Sequence, residues 1–255
     1  MNFKLFDLSG KIAFVTGSSR GLGYVFAEGL GKAGATVVLN GVSEDRLANA
    51  VASMREAGVT AHGYPFDIGD SEACRESVAA IEGEVGPIDI LINNAGIQIR
   101  SPLEEFKDED WERIVKVNLT SVYYVSKYVA RGMIERKSGK IINIGSVQCE
   151  LGRPSIAPYA ATKGGVKMLT RSMATEWGKH NIQVNGIGPG YFATDMTRAL
   201  IEDEAFNAWL CARTPANRWG NPEELQGAAV FLASAASSYV NGQMLYVDGG
   251  MLACV

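Results

Sequence analysis

Short apolar runs separated by longer amphipathic stretches set the rhythm of this chain. Ile12–Val15, Thr36–Leu39, Ile88–Ile92, Lys140–Ile144, Ile182–Ile187 and Gln243–Val247 are each four to six residues long and largely apolar. That pattern suits parallel strands covered on both faces. A weaker candidate spans His62–Phe66. Between the runs, apolar positions recur at helical spacing: Val122, Val125, Val129 and Met133 form one stripe, and Val166, Leu169, Met173 and Trp177 another. Asn221-Pro222-Glu223-Glu224 predicts a helix start, with Asn as cap, Pro at the first helical position and Glu224 placed to close a capping box. The alternation predicts an α/β fold, a Rossmann-type doubly wound parallel sheet with right-handed crossovers. It is expected to be a single domain over residues 1–255. The stretch 194–218 interrupts the rhythm and is expected to be a small helical substrate lid.

Composition narrows the class. The chain has 255 residues, 47% hydrophobic and 20% charged, enough for one large core. A net charge of −4 argues against a nucleic-acid partner. The first residues, Met1 to Asp7, carry no apolar run of signal-peptide length, and no stretch approaches the ~20 apolar residues that cross a bilayer, so no membrane partner is expected. Cys74, Cys149, Cys211 and Cys254 are scattered and form no CxxC pair, which suits reduced thiols of a cytoplasmic protein. Two histidines argue against a histidine-rich metal site, and no metal is expected.

Two groups of residues carry candidate chemistry. Thr16-Gly-Ser-Ser-Arg-Gly-Leu-Gly23 lies between a predicted strand and a predicted helix. Gly17 permits a tight turn, while Gly21 and Gly23 permit close backbone approach to a ligand, with free helix-start N–H groups facing a pyrophosphate. The GxxxGxG spacing departs from GxGxxG. The second strand ends Leu39-Asn40-Gly41-Val42-Ser43, with no acid to bind ribose hydroxyls before Glu44. Arg20 sits in the loop, and Asn40 and Ser43 are nearby donors. A ribose phosphate would meet a cation and no opposing charge, so NADP(H) is expected, with NAD(H) the weaker alternative.

The second group is Ser146, Tyr159 and Lys163. Tyr159 and Lys163 stand at i and i+4 on a helix and share a face. Lowering a phenol pKa by ~3 units takes about 4 kcal/mol of preferential phenolate stabilisation, which an ammonium and an oxidised nicotinamide can supply. Ser146 follows the strand ending at Ile144, on the carboxyl edge where such sheets bind ligands. Asn118 falls on a stripe with Trp111, Ile114, Val122 and Val125. It reads as a core asparagine satisfied by backbone, as the holder of a water that links Lys163 to solvent, or as both.

These motifs, with Asp67, Asn93-Asn-Ala-Gly96, Asn118, and Pro189-Gly190 with Thr194, resemble the short-chain dehydrogenase/reductase family over essentially the whole chain. The resemblance implies a catalytic tetrad of Asn118, Ser146, Tyr159 and Lys163. It implies a cofactor cleft lined by Gly17, Ser19, Arg20, Gly21, Leu22, Gly23, Asn94, Ala95 and Gly96, with Asp67 and Ile68 flanking the adenine. Pro189 and Gly190 also belong to it, and Phe192 to Thr194 would hold the nicotinamide carboxamide. It further implies a homotetramer. Longer strings, 96–102, 146–153, 202–213 and 248–255, resemble family members that act on sugar acids, implying reversible oxidation of D-gluconate to 5-keto-D-gluconate.

For such a substrate, Arg100 is a candidate to pair with the carboxylate, and Gln148, Glu150 and Arg153 to read hydroxyls. Ser146 and Tyr159 would hold the reacting oxygen. Trp209 and Arg213, in the lid, either close over substrate or serve packing. Two alternatives stand beside this expectation. One is reduction of a 3-oxoacyl thioester or of another polyol or ketose. The other is a non-catalytic nucleotide-binding module.

Overall fold

The computed structural model describes residues 4–194 and 197–254; Asp195 and Met196, in the expected lid, lie outside the described residues. All six apolar runs and the weaker seventh form strands. These are β1 (Ile12–Val15), β2 (Thr36–Gly41), β3 (Ala61–Pro65), β4 (Ile90–Asn93), β5 (Gly139–Ile144), β6 (Ile182–Pro189) and β7 (Met244–Val247). They form one parallel sheet in the order β3-β2-β1-β4-β5-β6-β7. The chain winds outward in opposite directions from β1 and β4, so their carboxyl ends flank the crevice where doubly wound sheets bind ligands.

Successive strand residues point to opposite faces, and each face has its own core. Ala13, Val15, Val37, Leu39, Ile90 and Ile92 pack on one side with residues of α1 (Gly21–Lys32) and α2 (Glu44–Glu56). Phe14, Val38, Leu91, Ile141 and Val184 pack on the other with α3 (Ser71–Glu84). Farther along the chain come α4 (Asp108–Val115), α5 (Ser121–Arg136), α6 (Ala157–Trp177), α7 (Arg198–Ile201), α8 (Glu204–Arg213) and α9 (Gln226–Ala233). The α5 and α6 stripes join the second core, whereas α9 joins the first. Asp70 starts α3 by accepting from the backbone N–H of Glu72 at 2.8 Å and Ala73 at 3.1 Å. Glu224 reaches back to the Asn221 N–H at 2.7 Å, as the capping-box spacing predicts. It opens a single 3-10 turn, Pro222–Leu225, that leads into α9.

Two features fix the helices that carry the chemistry. A buried amide ladder crosses the sheet: Asn93 Nδ2 donates to Ser126 Oγ and to Asn143 Oδ1, both at 2.8 Å, and Asn143 Nδ2 donates to Thr170 Oγ1 at 2.9 Å. With both amides engaged, it ties α5 and α6 to β4 and β5. Between α4 and α5 the helix continues through a π turn, Lys116–Thr120, with Asn118 at its centre. Ile114 and Val122 are buried on either side of it, but Trp111, expected on the same stripe, is 43% exposed. Among the described residues no helix is long and apolar enough to cross a membrane.

Candidate active site

A cleft of ≈ 800 Å³ opens at the carboxyl edge of the sheet. The glycine loop, Asn40, Ser43, Asp67, Ile68, Asn94 to Gly96, Arg100, Ser146, Gln148, Arg153, Tyr159, Lys163, Pro189, Gly190, Phe192 and Thr194 line it, whereas Glu150, Trp209 and Arg213 do not. Its charge is opposite to that of the chain: Arg20, Arg46, Arg100, Arg113, Lys116, Arg153 and Lys163 line it, against the single carboxylate of Asp67 among the described residues. A cavity with that balance favours a polyanion.

At one end the glycine loop joins β1 to α1. Gly17 has φ +60°, and a Cβ there would come within 2.8 Å of Ala95. A Cβ at Gly23 would lie 2.4 Å from Asn94 Nδ2 and 2.4 Å from the Gly17 carbonyl. Gly23 was expected to admit a ligand; its missing side chain instead admits Asn94, whose amide donates to Thr16 O at 3.0 Å and Gly17 O at 3.1 Å. Gly21, at φ +59°, faces open space, as a phosphate cradle requires.

Asn40 also takes a different part from the one expected. It is buried, its Oδ1 accepts from the Gly17 N–H at 3.2 Å, and its Nδ2 donates to Tyr64 O at 3.2 Å and Phe66 O at 3.1 Å. Both amide hydrogens are committed, so Asn40 holds the loop's shape, and the donors left for a ribose phosphate are Arg20 and Ser43. Arg46, in the first turns of α2, lines the same end and was missed from sequence, because only the fold brings α2 to the glycine loop. Asp67 bends its own loop by accepting from the Gly69 N–H at 2.8 Å, and Ile68 beside it is buried.

At the other end stand Ser146, Tyr159 and Lys163. Ser146 follows β5 and caps a short 3-10 turn, its Oγ accepting from the Gln148 N–H at 3.2 Å. Tyr159 and Lys163 project from α6, with Lys163 Nζ 5.5 Å from the Tyr159 ring centre. Burial pushes the Tyr159 phenol up to about 12, against a partial lowering by its hydrogen bond to Ser146. Burial pulls Lys163 down to about 8. The expectation that Lys163 acidifies Tyr159 is therefore corrected for the protein's own groups. The Lys163 ammonium donates to Ile144 O at 2.6 Å, and desolvation governs the phenol.

Asn118 does not line the cleft. Its Oδ1 accepts from the Ile97 N–H at 2.8 Å and its Nδ2 donates to Ile97 O at 2.9 Å. The backbone-satisfied reading is thus the one the geometry carries. Asn118 fixes the irregular segment that follows the Asn-Asn-Ala-Gly loop, and its Nδ2 reaches Thr162, next to Lys163, at 3.4 Å.

The substrate end sorts its candidates. Arg100 is exposed at the mouth, and Gln148 and Arg153 line the interior. Glu150 does not line the cleft: it is tied to Lys167 and to the Tyr246 hydroxyl. Thr194, Thr197 and Leu200 bring the 194–218 stretch onto the cleft, where α7 and α8 supply the expected helices. Trp209 and Arg213 do not face it. Trp209 is 48% exposed and packs on Phe206, while Arg213 holds the C-terminal segment through Met251 O at 3.1 Å and Cys254 O at 3.3 Å. Tyr191, unpredicted, lines the cleft after Gly190.

Comparison with known proteins gives the same picture. Residues 11–205 match the short chain dehydrogenase family. The 5-keto-D-gluconate 5-reductase of Escherichia coli (strain K12) is 55% identical over 251 residues, 98% of this chain and 99% of the relative. The gluconate 5-dehydrogenase of Gluconobacter oxydans (strain 621H) is 58% identical over 247 residues, 97% of this chain and 96% of the relative. The crystal structure of a gluconate 5-dehydrogenase from Burkholderia cenocepacia J2315 in complex with NADP and tartrate superposes with a TM-score of 0.97 at 52% identity, covering 99% of both chains.

Proposed function

The chain belongs to the short-chain dehydrogenase/reductase family, and from that premise we propose that it is an NADP(H)-dependent oxidoreductase interconverting D-gluconate and 5-keto-D-gluconate. The observation that carries the reading is the cleft itself. A phosphate cradle and a Ser-Tyr-Lys group share one cavity rich in cations and poor in carboxylates. The residues present fit the cofactor. Gly21 leaves the cradle open, Arg20 and Ser43 remain as donors, and no acid closes β2 where a ribose 2′-phosphate would sit. Relatives 55% and 58% identical act at C5 of this sugar acid by name, and a structure 52% identical holds NADP and tartrate, a small hydroxy acid.

Bound NADP(H) supplies or receives the hydride. In reduction, Tyr159 gives its proton to the oxygen forming at C5, and Ser146 steadies that oxygen by a hydrogen bond. Burial keeps Tyr159 protonated at neutral pH, so it stands ready as the acid. In oxidation, Tyr159 must first lose that proton, and a cationic nicotinamide would favour the phenolate. Lys163, anchored to Ile144 O, would also hold the nicotinamide ribose.

The same reading gives a homotetramer in the cytoplasm. α5 and α6 leave Tyr123 and Met168 exposed, and Leu103 and Trp111 add apolar surface near α4, a face suited to neighbouring subunits. The test is NADPH consumption with 5-keto-D-gluconate beside acetoacetyl-CoA. Turnover of the sugar acid at a kcat/KM well above that of the thioester supports the reading; the reverse order refutes it.

A further inference from the structure

Two side chains inside the cleft have bonding capacity that the protein does not use. Gln148 is 8% exposed, and its Oε1 is a buried acceptor with no hydrogen-bond partner. A buried oxygen in that condition calls for a donor. Arg153 lines the same cavity, and among the described residues no carboxylate pairs with it. Its neighbour in sequence, Glu150, is held instead by Lys167 and Tyr246.

The Arg153 guanidinium is nonetheless positioned. It lies over the ring of Phe206, 4.6 Å from the centroid, and Nη1 makes one long contact of 3.5 Å to the Tyr191 hydroxyl. Phe206 is itself held among Tyr191, Trp209 and Trp219, at 5.9, 5.2 and 6.4 Å between ring centres. An aromatic ring against one face leaves the N–H edge of the fork as the part that can bind, and that edge matches a carboxylate in two parallel hydrogen bonds. Arg100, by contrast, is exposed at the mouth.

We propose that Arg153 and Gln148 together form a receptor for a hydroxy acid: the Arg153 fork takes the substrate carboxylate, and Gln148 Oε1 accepts a hydrogen bond from a substrate hydroxyl. The two demands are complementary. An anion alone leaves Gln148 unsatisfied, and a neutral polyol leaves Arg153 unpaired. Phe206 belongs to α8, so that helix backs the guanidinium. The inference deepens the sugar-acid assignment and rests on it.

The test compares 5-keto-D-gluconate with L-sorbose, which keeps the ketone and hydroxyls but carries CH2OH in place of the carboxylate. Arg153→Met retains a long stem against Phe206 and removes the fork. It should lower the ratio of kcat/KM for the acid over the neutral ketose by about 10- to 100-fold, mostly through KM, the range of a lost charge-assisted pair. Arg153→Lys keeps the charge as a point donor and should fall between. Gln148→Leu should lower kcat/KM for both substrates and leave their ratio within about threefold of the native value. NADPH affinity, measured by fluorescence titration, separates these effects from collapse of the fold. A ratio that stays native-like in Arg153→Met, or one that falls in Arg100→Met instead, overturns the proposal and leaves the sugar-acid assignment standing. Native enzyme that fails to reduce 5-keto-D-gluconate overturns both.

Discussion

Lys163 is expected to make the protein less stable at neutral pH than it would be without it. The side chain is 4% exposed, and burial pulls its pKa from 10.5 to about 8. Below pH 8 the lysine is charged both folded and unfolded, and the folded state bears the desolvation. Above pH 8 the folded protein loses the proton while the unfolded chain keeps it until about 10.5. The unfolded state then binds more protons, so stability rises with pH across that window. An interval of about 2.5 pH units at 1.36 kcal/mol each corresponds to about 3 kcal/mol. Lys163→Met removes this dependence, together with the hydrogen bond to Ile144 O, which offsets roughly 1–3 kcal/mol of it.

The variant should therefore be at least as stable as the native protein at pH 7, and inactive. The robust readout is the difference between the two proteins as a function of pH. Urea unfolding followed by tryptophan fluorescence at pH 7, 8, 9 and 10 should show the variant's relative stability falling by roughly 2–3 kcal/mol across the series. Lys140, half-buried near Ser237 and also lowered to about 8, contributes equally to both proteins and cancels. Parallel stability curves would refute the reasoning, since they would mean that Lys163 titrates alike in the folded and unfolded chains.

Three further outcomes follow from the site. Tyr159→Phe should lose turnover by at least about a thousandfold while NADPH affinity, by fluorescence titration, stays native. In the native enzyme the raised phenol should make gluconate oxidation climb with pH from 7 to 9 while ketone reduction does not, and a flat oxidation profile would count against Tyr159 as the base. Gly41→Asp places a carboxylate at the end of β2, where a Cβ meets only Ser19 Oγ, at 2.9 Å, and Ser19 Cβ, at 3.2 Å. The Ser19 hydroxyl can rotate aside, so KM for NADPH should rise about 10- to 100-fold with little change for NADH; an unchanged ratio would remove the adenosine phosphate from that corner. Gly23→Ala should cost about 1–3 kcal/mol by overpacking against Asn94 and the Gly17 carbonyl. A native melting temperature for that variant would show that the contact relaxes freely.

The strands were legible because burial on both faces writes a continuous apolar run, and even the weak His62–Phe66 candidate forms β3 beside β2. The cleft was legible residue by residue because glycine loop, serine, tyrosine and lysine each follow a strand end or share a helix face. The π turn was not. Trp111, Ile114, Asn118 and Val122 keep ordinary helical spacing, and nothing local announces the extra residue in the turn. The commitments of Asn40 and Glu150 were equally hidden. Whether an amide or a carboxylate faces a ligand depends on Tyr64, Phe66, Lys167 and Tyr246, and only folding makes these its neighbours. The protonation state of Tyr159 depends on burial, which spacing along a helix does not encode.

Asn94 reaching into the space left by Gly23 has a consequence for protein engineering. The nucleotide loop owes its curvature to an amide delivered from the end of another strand, so it is not a portable part. A chimaera that imports residues 16–23 from a relative would inherit the host's β4 terminus as an undeclared component of its coenzyme preference. Exchanges meant to redirect that preference should therefore move the two segments as one cassette.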